Sequence, residues 1–147
     1  MIMTADVPSI ILHIDDESAV RNGLAMLLRT QNHDVRSAAS KSEALAWVAD
    51  GLRPDVLIVD FNLSEELNGA ELTEEIRRAL GDTPPVVMPT GDPSNAEVPW
   101  ITDVPVWLAH TPVKPQLLLA AIPGLTQLSR SVREFVTTSP RLGFAGK

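Results

Sequence analysis

The sequence predicts an α/β fold in which a five-stranded parallel sheet is covered by helices on both faces. Three observations predict it. Short apolar runs alternate along the chain with segments whose apolar residues recur at helical spacing. The clearest run, Val56-Leu57-Ile58-Val59, is apolar at every position, as a strand buried on both faces must be. Helix stops and starts fall between the runs, so each strand is followed by a crossover rather than a hairpin.

In chain order, Ile10 to Ile14 reads as a strand with His13 inside it. A helix follows from Ser18 to Gln31, with Val20, Leu24, Leu27 and Leu28 on one face. Asp34 to Ala38 is a weaker strand. Ser40 opens a second helix, Glu43 stands where a capping box needs it, and Gly51 ends it. Its buried stripe is Ala44, Leu45 and Val48. A strand over 54–59 leads to a third helix, from Asn68 to Leu80, stopped by Gly81. Further strands are predicted over 85–88 and 104–109, and Pro115 opens the last helix at the position proline favours. Between them, Pro93, Pro99 and Pro105 predict that any helix there is short or partly unwound. Right-handed crossovers leave few topologies for such a chain, and the doubly wound, flavodoxin-like strand order is the natural one. The core domain is predicted over 8–123. Pro123-Gly124 is expected to break or kink the final helix, with a helical extension and tail over 124–147. In that extension Leu125, Leu128, Val132, Phe135 and Val136 mark an amphipathic face. It either packs back on the domain or meets a partner, including a second copy in a homodimer.

Composition removes several function classes. With 12 basic and 19 acidic residues the net charge is −7, unsuited to a nucleic-acid-binding face or an anionic membrane surface. There is no cysteine, so disulfides, thiolate metal sites and cysteine catalysis are excluded. No apolar run approaches the roughly 20 residues of a membrane span. The segment Met1 to Asp6 lacks the basic start of a signal peptide, so a cytoplasmic location is expected.

In a sheet of this kind, ligands bind beyond the carboxyl ends of the strands. Asp15 and Asp16 follow the first strand, Asp60 follows the third, and Thr90-Gly91 follows the fourth. Any one of these acids is explained as a turn or capping residue. All three together are not, because gathering like charges raises their energy unless a cation relieves it. Oxygen ligands alone point to a hard cation such as Mg²⁺. Two carboxylates that hold Mg²⁺ and a third that attacks phosphorus would form an aspartyl phosphate. Asp60, alone at a central strand end, suits the nucleophile. The adjacent Asp15 and Asp16 suit the metal, and Thr90 offers a hydroxyl to the phosphoryl group.

These residues resemble the receiver domains of response regulators in two-component signalling. The resemblance runs from Ile10 to about Ile122 and rests on Ile-Asp-Asp-Glu at 14–17, Leu-Ile-Val-Asp at 57–60, Asn68-Gly69, Thr90-Gly91-Asp92 and Pro-Val-Lys-Pro at 112–115. It implies that Asp60 is the phosphoacceptor and that Mg²⁺ is bound by Asp15, Asp16, Asp60 and the backbone carbonyl of Asn62. Thr90 would be the switch hydroxyl. The donor would be a histidine kinase or a histidine phosphotransfer protein. The subtype resembled, near hybrid sensor kinases, often reads His-Lys-Pro-Val-Lys-Pro after the fifth strand. Here His110-Thr111-Pro112-Val113-Lys114-Pro115 places Thr111 at the family's lysine position and Leu108 at its aromatic switch position. In a competing register Lys114 is that lysine, but the last helix would then begin at Leu117, a poor cap.

Three functions stay open on the sequence. The first is a phosphorylatable receiver, not an enzyme, that signals through protein contacts. The second is a degenerate receiver that binds partners without phosphate, which Thr111 favours. The third is a small phosphatase of the haloacid dehalogenase type, which Asn62 disfavours because such enzymes carry an acid there. His13 reads as a core residue, His33 and His110 as loop residues, Trp47 and Trp100 as packing residues, and Met26 and Met88 as core positions.

Overall fold

A computed structural model describes residues 8–63, 68–90, 106–110 and 114–138, with side chains of 106–110 and 135–138 left aside. The elements run β1 (Ile10–Ile14), α1 (Ser18–Arg29), β2 (Asp34–Ala38), α2 (Lys41–Ala49), β3 (Val56–Val59), α3 (Gly69–Leu80), β4 (Val86–Thr90), β5 (Val106–His110) and α4 (Pro115–Thr138). All strand pairs are parallel, in the order β2-β1-β3-β4-β5. This is the doubly wound, flavodoxin-like sheet that the alternation predicts. The proline-rich segment over 91–105 and Trp100 lie outside the described residues.

Strand alternation divides the core into two layers. Leu12, Ile14, Leu57, Val59, Val86 and Met88 point to the side of α2 and α3, where Ala44, Leu72 and Ile76 meet them. Ile11, Val35, Val56, Ile58 and Val87 point the other way, against Ala25 and Leu28 of α1 and Leu118 and Ile122 of α4. His13 is in this second layer by register and is 1% exposed, the core residue expected.

Several local expectations shift. The helix predicted to reach Gln31 stops at Arg29, because Asn32 takes a left-handed turn at φ 66°. Val20 and Met26 are 41% and 70% exposed, since α1 turns Ala25 and Leu28 to the sheet instead. The capping box at α2 is half formed. Ser40 Oγ accepts from the Glu43 N–H, but the Glu43 carboxylate accepts from the Ala39 N–H at 2.7 Å rather than from Ser40. The complete box is at α3, between Asn68 and Glu71, and Gly81 closes that helix at φ 68°. His33 is buried, and its Nδ1 accepts the Ser9 N–H at 3.1 Å. Trp47 packs at the domain edge as expected, donates to the Ser37 carbonyl at 3.0 Å and lies 5.3 Å under Arg36.

The largest difference is α4, which runs unbroken through Pro123-Gly124. Pro123 costs the helix one backbone hydrogen bond. Contacts on either side offset that loss. Ile122 is fully buried, Thr126 Oγ1 pairs with Ser9 Oγ at 2.6 Å, and Ser129 is buried. One turn on, Arg130 and Arg133 both bond Asp55, whose carboxylate also accepts the Ile10 N–H at 2.8 Å. Arg130 donates in addition to the Pro8 carbonyl at 2.8 Å. The extension therefore packs back on the domain through this polar side together with Leu125, which packs against the α1-side core. Leu128 and Val132 of the expected apolar face stay outside, at 40% and 42% exposure.

Burial alone would raise the pKa of Asp55, but the bonds from Arg130, the Ile10 N–H and Arg133 more than offset it and hold the carboxyl below its ordinary value. A depressed folded-state pKa means that Asp55 stabilises the fold above its unfolded value and loses that contribution as pH falls through the folded one. Asp55→Ala should cost about 2 kcal/mol at neutral pH, below the roughly 3–5 kcal/mol of a fully buried broken pair because both arginines can turn to water. The deficit should shrink below about pH 4. Urea unfolding of both proteins at neutral and acid pH checks this.

Candidate functional site

The β1–β3 pairing builds the site. Ile14 is in register with Val59, so the next residues, Asp15 and Asp60, leave the sheet side by side. The Asp60 N–H extends the ladder to the Ile14 carbonyl at 3.1 Å, and the Asp15 N–H bonds the Ala38 carbonyl at 3.1 Å. Both acids are thus fixed by backbone before any side chain acts. Carboxylate oxygens of Asp15, Asp16 and Asp60 all lie within 4.8 Å of one another. Asp15 is buried, Asp60 half-buried and Asp16 exposed.

Local bonds orient the group. Asp15 Oδ1 accepts the Glu17 N–H at 2.9 Å, and the Asp15 carbonyl accepts from Arg21 at 2.7 Å. Asp60 Oδ1 accepts the Asn62 N–H at 3.3 Å. Burial, then the neighbouring Asp15 charge, push Asp60 up to about 6, with Asp16 and Glu17 adding to it against the Asn62 bond. Asp15 is also raised, by burial first. The groups that move Asp60 upward include three other acids, and among the described residues no cation counters them.

The donor set fits Mg²⁺. All three ligands are carboxylate oxygens, as a hard cation requires, and exposed Asp16 leaves a side open to the waters Mg²⁺ keeps. Octahedral Mg²⁺ spaces neighbouring ligands at about 3 Å, so side-chain rotations that draw these oxygens together would close the cluster.

Of the residues singled out from the sequence, Asp15, Asp16, Asp60 and Asn62 line one cleft. Thr90 is the last residue of β4, buried, and in register with His110 at the end of β5. Leu108 sits two residues earlier, opposite Met88. Lys114 is exposed and immediately precedes α4, whose first residue, Pro115, lines the same cleft. Thr111 lies outside the described residues. Three contributors were not assigned a role from sequence. Glu17 was legible as the next acid of its motif. Arg21 gave no signal, because its target is a backbone carbonyl. Gly69 was read as a family marker, and its physical reason is steric: a Cβ there would fall 2.3 Å from the Asp60 carbonyl oxygen. Its own N–H bonds the Phe61 carbonyl at 2.7 Å, which draws α3 against the acceptor loop.

Two outcomes follow. Gly69→Ala must push α3 off the Asp60 backbone, and thermal melts should show a loss of about 2 kcal/mol, in the range of overpacking. Asp60 has a folded pKa above its unfolded value of 3.8, so it binds a proton more tightly when folded and destabilises the fold as pH rises from about 4 to 6. After discounting for solvent screening, Asp60→Asn should stabilise the metal-free protein by about 1 kcal/mol at pH 7 and by little at pH 4. Melting curves at both pH values test it.

The family model described as the response regulator receiver domain matches residues 11–103. Among curated proteins, the DNA-binding transcriptional regulator NtrC of Azospirillum brasilense is 36% identical over 78 residues, 53% of this chain and 16% of that protein. The transcriptional regulatory protein TrcR of Mycobacterium tuberculosis is 28% identical over 136 residues, 92% of this chain and 52% of that protein. The chain thus spans about half, or less, of the length of these relatives. Among solved structures, the chemotaxis protein CheY4 of Vibrio cholerae is 27% identical with a TM-score of 0.67, covering 81% of this chain and 99% of that one. The N-terminal domain of a response regulator/sensory box/GGDEF 3-domain protein from Carboxydothermus hydrogenoformans shares the fold, with 23% identity and a TM-score of 0.72 over 83% of this chain and 97% of that one. A match over more than half of the chain, on a sheet and acidic cluster of this geometry, shows that the chain belongs to the response regulator receiver domain family.

Proposed function

We propose that Asp60 is the phosphoacceptor of a two-component relay and that the domain signals through protein contacts. The observation that carries this is the convergence of Asp15, Asp16 and Asp60 at adjoining strand ends. The donor would be a phosphohistidine on a histidine kinase or phosphotransfer protein. An Asp60 carboxylate oxygen forms the O–P bond, the N–P bond breaks, and the imidazole nitrogen keeps the electron pair and is then protonated. Asp60 must be ionised to attack, and at pH 7 a group titrating at about 6 largely is. Mg²⁺, held by Asp15, Asp16, Asp60 and the Asn62 carbonyl, would neutralise charge on the phosphoryl oxygens. Such a domain is a signalling switch rather than an enzyme with its own substrate, and a cytoplasmic setting suits its donor. No described helix is long and apolar enough to cross a membrane.

The register that puts Thr111 at the family's lysine position is supported by α4 starting at Pro115 rather than at Leu117. A threonine hydroxyl can donate to a phosphoryl oxygen but brings no charge, and charge-assisted bonds are roughly twice as strong as neutral ones. Phosphorylation would then bias Thr90 and the ends of β4 and β5 weakly, since a modification shifts an equilibrium only by its differential interaction with the two states. That favours, as a second reading, a domain whose binding depends little on phosphate.

Incubation with a small acyl phosphate and Mg²⁺ should add one phosphoryl group, read by intact mass. Asp60→Asn should remove the gain. Mg²⁺ should raise the melting temperature by mass action, and Asp16→Ala should remove that rise. A gain that survives in Asp60→Asn would overturn the acceptor assignment.

A further inference from the structure

The cleft that holds the acidic cluster continues well beyond it. It encloses about 1000 Å³ between α1 and α4, at the upper end of small-molecule sites. Its walls are apolar: Val20, Leu24 and Leu27 from α1, Ile58 and Val87 from the sheet, and Leu118 from α4. Asp15, Asp16, Glu17 and Asp60 are the carboxylates that line it, and none of its described lining residues is Lys or Arg. His13 also lines it. That residue is 1% exposed, yet its Nδ1 has no hydrogen-bond partner. A buried ring nitrogen without a partner costs about 1–3 kcal/mol, so a ligand group that hydrogen-bonds to it is favoured.

A third observation is Gly23. It lies inside α1, where glycine costs about 1 kcal/mol relative to alanine. Elsewhere in this fold a glycine is required, as Gly69 is. At Gly23 a Cβ would meet nothing within 4 Å, so no neighbour demands its absence. It lines the cleft and widens it.

We infer that this cleft binds an organic ammonium ion, its charged head at the Asp15, Asp16 and Asp60 carboxylates and its apolar body between α1 and α4. The polar groups argue for this chemistry. Carboxylates accept and carry negative charge, and the unpartnered His13 nitrogen adds one more hydrogen-bonding position beside them. A ligand that brings donors and positive charge satisfies them, whereas an organic anion meets four like charges. The α1 N-terminus contributes roughly half a positive charge, too little to reverse that balance. The head would occupy the ground assigned above to Mg²⁺, so the two exclude each other. That exclusion rests on the Mg²⁺ reading of the site, and amine binding does not.

The test uses the full chain with n-hexylammonium as probe and 1-hexanol and hexanoate as controls at equal ionic strength. Hexylammonium should raise the melting temperature, hexanol less and hexanoate not at all. Hexylammonium at several times its own midpoint should move the Mg²⁺ midpoint upward by about fivefold or more, and Mg²⁺ should in turn raise the amine midpoint. Gly23→Leu, which fills the cleft, should weaken the amine about tenfold or more while keeping the Mg²⁺ shift and the Asp60 phosphoryl gain, which also show the variant is folded. Equal shifts from hexanoate and hexylammonium, an unmoved Mg²⁺ midpoint, or full amine binding by Gly23→Leu would overturn the inference. A protein that binds the amine but shows neither Mg²⁺ shift nor phosphoryl gain would instead overturn the phosphoacceptor reading.

Discussion

The Ile14–Val59 pairing sets two carboxylates side by side at the carboxyl edge of the sheet, and most of the local structure answers to that. Asp15 and Asp60 are placed by ladder hydrogen bonds, so they cannot separate without breaking the β1–β3 register. Burial raises the Asp60 pKa first, and the repulsion from Asp15 adds to it rather than being relieved by movement. The surroundings add rigidity instead. Arg21 holds the Asp15 carbonyl, the Glu17 N–H holds its side chain, and α3 is drawn against the Asp60 backbone at a residue that can only be glycine. The result is a preorganised cluster whose unfavourable charge is available to whatever cation arrives.

The opposite edge of the sheet is built in the reverse sense. Asp55 enters β3 from below, buried like Asp15, but two arginines and a backbone N–H satisfy it. Two acids near the two ends of one short strand thus carry pKa shifts of opposite sign: partners lower one, and burial first, then neighbours of like charge, raise the other. The same helix reaches both. Pro115 and Leu118 border the cleft, and Arg130 and Arg133 grip Asp55. The stabilising contacts of α4 are concentrated away from the site. Its first turn, with Leu117 exposed, has only Leu118 firmly buried.

The β1 to β3 core and the acidic cluster were legible because their signals are local. An unbroken apolar run can only be a doubly covered strand, and an acid at its end can only face the crevice. Helix ends followed from Asn68, Gly51 and Gly81, whose conformations need little context. Where the reading missed, the cause was tertiary. Val20 and Met26 sit at helical spacing, but which arc of α1 meets the sheet depends on α4, which no periodicity reveals. Pro123 reads as a break because the local rule counts one lost bond, whereas the structure counts Ile122, Thr126 and the Asp55 clamp as well. Of the extension's apolar residues Leu125 does pack on the core while Leu128 and Val132 stay exposed, and Thr126, Ser129 and the arginines complete the dock, because its centre is a buried carboxylate. Asp55 itself looked like a strand-entry residue and nothing more.

These features bear on how much the domain can respond. A half-buried carboxylate whose pKa is pushed up to about 6 is largely ionised at pH 7, but at a cost that burial and the neighbouring acids set. A proton, a divalent metal or an organic cation each removes the same repulsion, so they act on one free-energy term and compete. Phosphorylation of Asp60, as proposed, would add negative charge to that term, and the modified state would depend on cations more than the unmodified one. None of the described residues that line the cleft is Lys or Arg, so within that lining the repulsion has no side-chain cation to answer it. On the proposed reading, the cation that occupies the cleft then weighs on the switch together with the phosphoryl group.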